Sequence, residues 1–211
     1  MKLRFAVFAI ASMALVAAPA VADILYDNGP VLNTQSAWTI NFGFRVTDSL
    51  VANGTVQGLQ FWALLLPGDI VQSVEVLIGS SPFGNDLFDS VVSITQSNCF
   101  TNLYGYNLCE ESGSFSGPAL NGSYWLTLQN GVVNDGDPVY WNENSGAGCQ
   151  SPGCPSQAQE NQLGTIPSEA FSIIGSPGTN TTPEPASFVL FASGALAIVG
   201  LLRRKGGNGL Q

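Results

Sequence analysis

Trp38-Thr39-Ile40-Asn41-Phe42-Gly43-Phe44-Arg45-Val46 decides the fold class. Apolar Trp38, Ile40, Phe42, Phe44 and Val46 alternate with Thr39, Asn41, Gly43 and Arg45. A period of two places one set on each face of a β-strand. Outward from there the signal repeats. Residues 56–66 form an almost continuous apolar run, closed by the turn sequence Pro67-Gly68-Asp69. Ser73-Val74-Glu75-Val76-Leu77-Ile78, Val91-Val92-Ser93-Ile94-Thr95 and Tyr124-Trp125-Leu126-Thr127-Leu128 read as further strands, as do Val139-Tyr140-Trp141 and Phe171-Ser172-Ile173-Ile174. No stretch of this body sustains a helical stripe. Many short strands divided by Gly, Pro, Asn and Asp predict an all-β, antiparallel β-sandwich, with a jelly roll as one topology it could take.

Composition narrows the chemistry. The chain has 211 residues with 15 acidic side chains, six basic ones and no histidine. Without imidazole there is no Ser-His-Asp or Cys-His nucleophile and no histidine-bound zinc or iron. The basic residues are Lys2, Arg4, Arg45, Arg203, Arg204 and Lys205, so Arg45 alone faces 14 carboxylates in the body. Such a body repels nucleic acid and anionic lipid.

The two ends read as targeting devices. Lys2 and Arg4 precede an apolar stretch at 5–16, and Ala20-Val21-Ala22 then supplies a small-residue cleavage site. That layout predicts a signal peptide over 1–22 and a mature chain beginning at Asp23. Residues 186–202 are apolar; at ~1.5 Å per residue they reach roughly 25 Å as a helix, enough for a thin bilayer. Arg203, Arg204 and Lys205 follow, which places the tail 203–211 on the cytoplasmic side. The expected order is signal peptide, ectodomain at 23–178, linker at 179–185, membrane helix, basic tail.

Pro183-Glu184-Pro185-Ala186-Ser187, then the apolar helix, then the basic cluster, resembles the PEP-CTERM sorting signal of Gram-negative bacteria. The resemblance implies an exosortase as partner, a membrane protease or transpeptidase that cuts near Pro183-Glu184-Pro185. It also implies an inner-membrane precursor, later held at the cell surface or released, with a place in exopolysaccharide or biofilm matrix. Leu25-Tyr26-Asp27-Asn28-Gly29, Trp38-Thr39-Ile40, Tyr124-Trp125-Leu126-Thr127-Leu128 and Pro138-Val139-Tyr140-Trp141, in that order, resemble β-sandwich ectodomains that precede such tails.

Inside the body, four cysteines in an exported chain point to disulfides, and short loops favour Cys99–Cys109 and Cys149–Cys154. Asp135, Asp137 and Glu143 lie within nine residues. Ordinary turn chemistry explains Asn134-Asp135-Gly136-Asp137-Pro138 first. Hard oxygen ligands for Ca²⁺ come second, with Asp27 and Asn28 as a distant alternative set. A carboxylate glycosidase comes third. Of the adjacent aromatic pairs, Trp141 and Tyr124 are the candidates to stack on a sugar, with Trp125 expected in the core. No certain cofactor and no catalytic residue emerge. The reading is a non-enzymatic surface or matrix protein, with a carbohydrate-binding module as the alternative.

Overall fold

A computed structural model describes residues 22–145 and 158–178. The expected signal peptide, linker, membrane helix, sorting residues and Cys149–Cys154 pairing fall outside them. Among the described residues there is no helix, and every strand pairing is antiparallel. The body is therefore all-β, as its period-two patterning requires.

The strands are β1 (Asp23–Asp27), β2 (Ala37–Thr39), β3 (Arg45–Leu65), β4 (Val71–Gly79), β5 (Phe88–Ser93) and β6 (Thr95–Thr101). They continue with β7 (Asn107–Ser114), β8 (Ala119–Val133), β9 (Tyr140–Asn142), β10 (Ala158–Glu160), β11 (Gly164–Ile166) and β12 (Phe171–Pro177). The strand β3 organises the rest. Its first half pairs with β8, from Arg45↔Gln129 to Thr55↔Ala119. Its second half pairs with β7, from Gly58↔Ser114 to Leu65↔Asn107, and with β12, from Gly54↔Pro177 to Phe61↔Phe171. The change of partners falls at Gly54, whose φ is +151°. A Cβ there would lie 2.4 Å from the Ser176 carbonyl oxygen, so only glycine lets β12 approach.

One expectation is corrected here. The alternating run from Trp38 to Val46 is not one strand: β2 ends at Thr39 and β3 begins at Arg45. Between them Phe42 and Gly43 take φ of 54° and 87°, and the Phe44 N–H donates to the Asn41 carbonyl at 3.0 Å. That turn throws Phe42 into solvent while Ile40 stays in the core. Asn53-Gly54 runs straight through as strand.

Alternation sets the core. Val46, Leu50, Ala52, Val56 and Leu59 from β3 join Val74, Val76 and Ile78 from β4 and Leu126 and Leu128 from β8. Two rings close one end. Trp141 meets Phe171 and Phe61 edge-on at 5.5 and 6.4 Å.

Candidate functional site

Turn chemistry and a carboxylate cluster coincide at one loop end. The Asp137 N–H donates to Asp135 Oδ1 at 3.3 Å, and Gly136 takes φ of 88°, as an Asx turn requires. The strand pairing Val71↔Val133 brings the β3–β4 turn alongside. Carboxylate oxygens of Asp69, Asp135 and Asp137 lie within 4.8 Å of one another. Asp69 is nearly buried and accepts the Leu66 N–H at 3.1 Å. Burial raises its pKa first, and the neighbouring Asp135 and Asp137 charges add to that. Three hard oxygens at this spacing have the chemistry to share a proton or a divalent cation.

Glu143 is not part of that cluster. It lies directly opposite Glu169 in an isolated antiparallel bridge and accepts the Trp38 indole N–H at 3.0 Å. Asp69, unmarked in the sequence, takes its place. Convergence of Asp135, Asp137 and Glu143, which a carboxylate glycosidase would need, is absent from the described structure.

The distant alternative, Asp27 and Asn28, is consumed by the fold. Asp27 Oδ1 accepts the Gly29 N–H and the Ser172 hydroxyl. Asn28 is fully buried; its amide donates to Asp48 Oδ2 at 3.1 Å and to the Glu169 carbonyl at 2.7 Å, and its Oδ1 accepts the Tyr26 hydroxyl at 2.8 Å. Asp48 Oδ2 also accepts from the Ser168 hydroxyl and the Glu169 N–H, at 2.7 and 2.8 Å. Even with these donors, burial pushes the Asp48 carboxyl up to about 7.

The proposed sugar-stacking residues fare differently from each other. Trp141 is fully buried, with its indole N–H donating to the Ala170 carbonyl at 3.1 Å. It stands opposite Trp38 on one side and the small Ala63 on the other, so the ring fills the core. Its expected exposure is corrected. Tyr124 is half-buried against the core, and its hydroxyl accepts the Asn121 N–H at 3.2 Å. Trp125, expected inside, is half-buried too.

A different tryptophan reaches a cleft. Trp62, Gln60, Glu110, Asp27 and Ser172 line a recess of about 250 Å³ on the face of β3, β7 and β12 turned away from the core. Trp62 is half-buried and packs at 5.8 Å against Phe100, a ring 38 % exposed. Sequence reading passed over Trp62 because it sits inside a nearly continuous apolar run, where alternation is faint. Nearby, Cys99 and Cys109 form the expected disulfide between β6 and β7.

Residues 181–205, at the other end of the chain, match the PEP-CTERM protein-sorting motif. The chain carries a PEP-CTERM sorting signal. The matched residues hold Pro183-Glu184-Pro185, the apolar run and Arg203-Arg204-Lys205. A PEP-CTERM signal implies export and processing by an exosortase. No curated protein and no solved structure matches the chain.

Proposed function

We propose that this PEP-CTERM protein is a non-catalytic component of the cell surface or extracellular matrix, delivered by its signal peptide and released or transferred by an exosortase. The motif at 181–205 carries the reading. The body supports it in kind: it is acidic, all-β and stapled by a disulfide, features suited to an oxidising exterior. The exchange of partners along β3 favours a two-layer sandwich, with β8, β4 and β5 in one layer and β7, β12 and β1 in the other. Expression with and without an exosortase, followed by fractionation, tests the sorting half. Retention in the inner membrane under both conditions would overturn it.

The second reading, a carbohydrate-binding module, is favoured by the Trp62 cleft in place of Trp141. An indole flanked by the Gln60 amide and the Glu110 carboxylate offers a stacking face and hydrogen-bonding groups for sugar hydroxyls. A glycan array read with the wild-type body and with Trp62→Ala tests it. Binding lost in Trp62→Ala supports a module, and no binding by the wild type removes it while leaving the sorting reading intact.

A further inference from the structure

The disulfide is asymmetric. Cys109 lies in the core with no exposure, whereas Cys99 is exposed on β6, which pairs with β7 alone. The β6–β7 register slips between Ser97 and Phe100, and Asn98 takes φ of 49° there. Cys99 lies within this bulge on the edge strand, where the residue is exposed. Gln96 holds its sulfur, the Gln96 amide donating to Cys99 Sγ at 3.4 Å and to the Asp69 carbonyl at 3.2 Å.

On the core face of β7, two residues from the buried sulfur, stands a carboxyl group with no hydrogen-bond partner. Glu111 is two residues beyond Cys109 on β7, on the same face and about 7 Å along the strand. It has no exposure, and neither carboxyl oxygen has a hydrogen-bond partner. An unpartnered buried acid costs stability, so its presence asks for a chemical reason.

We propose that Cys99–Cys109 is a thiol–disulfide exchange site at which an external thiol attacks Cys99 and Glu111 supplies the proton that Cys109 takes on leaving. The incoming thiolate forms a bond to Cys99 Sγ as the Cys99–Cys109 bond breaks, its electron pair passing to Cys109 Sγ. A thiolate in that apolar site is unfavourable, and the Glu111 proton converts it to a thiol. A second thiolate then attacks the external sulfur of the mixed disulfide, freeing Cys99. Two thiols are oxidised to one external disulfide, and both cysteines are reduced. In the reverse direction the Glu111 carboxylate accepts the Cys109 proton.

Burial alone pushes the Glu111 carboxyl up to about 8, so it holds its proton at neutral pH. Its surroundings add no charge. Across β6 it faces Gln96, and across β3 it faces Phe61. Strands β4 and β5 put Val74, Val76 and Val92 into the core, while their acids Glu75 and Asp89 are bonded to Asn130 and Asn85. Glu110, its neighbour in sequence, lines the outer cleft instead.

The test is reduction of the full chain by dithiothreitol from pH 6 to 9.5, quenched by alkylation. Peptide mapping scores Cys99 and Cys109 separately from Cys149 and Cys154. Rates are divided by the reagent's thiolate concentration. The native protein should give a plateau up to about pH 7.5 and then a fall as Glu111 ionises through about 8. Glu111→Gln should be at least tenfold slower at pH 7, a modest figure for a lost general acid, and flat across the range. Glu111→Asp, which keeps a carboxyl on that face, should retain the fall and serves if the glutamine variant does not fold. A native profile without a fall, or equal rates in native protein and Glu111→Gln, would overturn the proposal.

Discussion

Glu143 and Glu169 face each other across an antiparallel bridge flanked by the Ala170 N–H to Asn142 carbonyl and Asn144 N–H to Ser168 carbonyl bonds. That pattern marks a non-hydrogen-bonded pair, in which side chains approach most closely. Two like charges there would repel. The fold resolves the conflict by protonation: Glu169 is fully buried, neither of its carboxyl oxygens has a partner, and burial, then Asp48, then Glu143 raise its pKa well above the usual range.

Stability should therefore fall as pH rises. Glu169, Asp48 and Glu111 all have folded pKa values above their unfolded ones, with Asp48 near 7 and Glu111 near 8. The folded state holds protons that the unfolded chain releases above about pH 4, so this contribution is full below pH 4 and fades through pH 7 to 8. Each group contributes a slope of up to about 1.4 kcal/mol per pH unit. Melting temperatures should drop between pH 5 and pH 8.5, and Glu169→Gln should flatten that drop. A curve that rises over the same interval would refute the protonated assignments.

Trp141 and Trp62 should separate stability from binding. Trp141→Ala removes a fully buried ring and should cost about 3–5 kcal/mol in denaturant unfolding. Trp62→Ala, at the half-buried cleft position, should cost far less. Equal destabilisation by both would mean that Trp62 is a packing residue.

Asn28 ties three segments together, so Asn28→Ala should be severe for a polar substitution. It strips donors from Asp48 and the Glu169 carbonyl and an acceptor from the Tyr26 hydroxyl. Asp48 keeps its Ser168 and Glu169 N–H donors and the Glu169 carbonyl keeps the Asn144 amide, so a loss of roughly 1–3 kcal/mol is expected, the usual cost of disrupting one buried hydrogen-bonding side chain. Urea titration at pH 6 reads it directly.

At the Asp69–Asp135–Asp137 end, Asp135→Asn keeps the Asx-turn acceptor but removes one of the charges that raise the Asp69 pKa. In EDTA at pH 7 this variant should melt at or above the native temperature. Millimolar CaCl₂ compared with NaCl of equal ionic strength then separates cation binding from screening: only binding gives a calcium-specific rise that Asp135→Asn lacks.

The sequence disclosed the strands whose alternation is strong, as at Tyr124-Trp125-Leu126-Thr127-Leu128, because period-two patterning reports local backbone directly. Alternation names two faces but not which one is covered, so the pattern cannot tell that Trp141 fills the core while Trp125 is only half-buried. The Trp38–Val46 run broke because positive φ at Phe42 leaves no compositional trace. Asp69 joined Asp135 and Asp137 only through the register of β4 on β8, a relation between positions more than 60 residues apart. The sorting tail was legible in full, since its information is linear: a short motif, an apolar run and a basic cluster.

Intact-mass analysis of the surface-located protein from a host with an exosortase tests the central claim most directly. The account predicts a species that begins at Asp23 and lacks the apolar tail, and a Glu184→Ala variant that keeps the tail. A native surface species that still carries Leu202 and Arg203 would contradict sorting by this signal and leave a membrane anchor in its place.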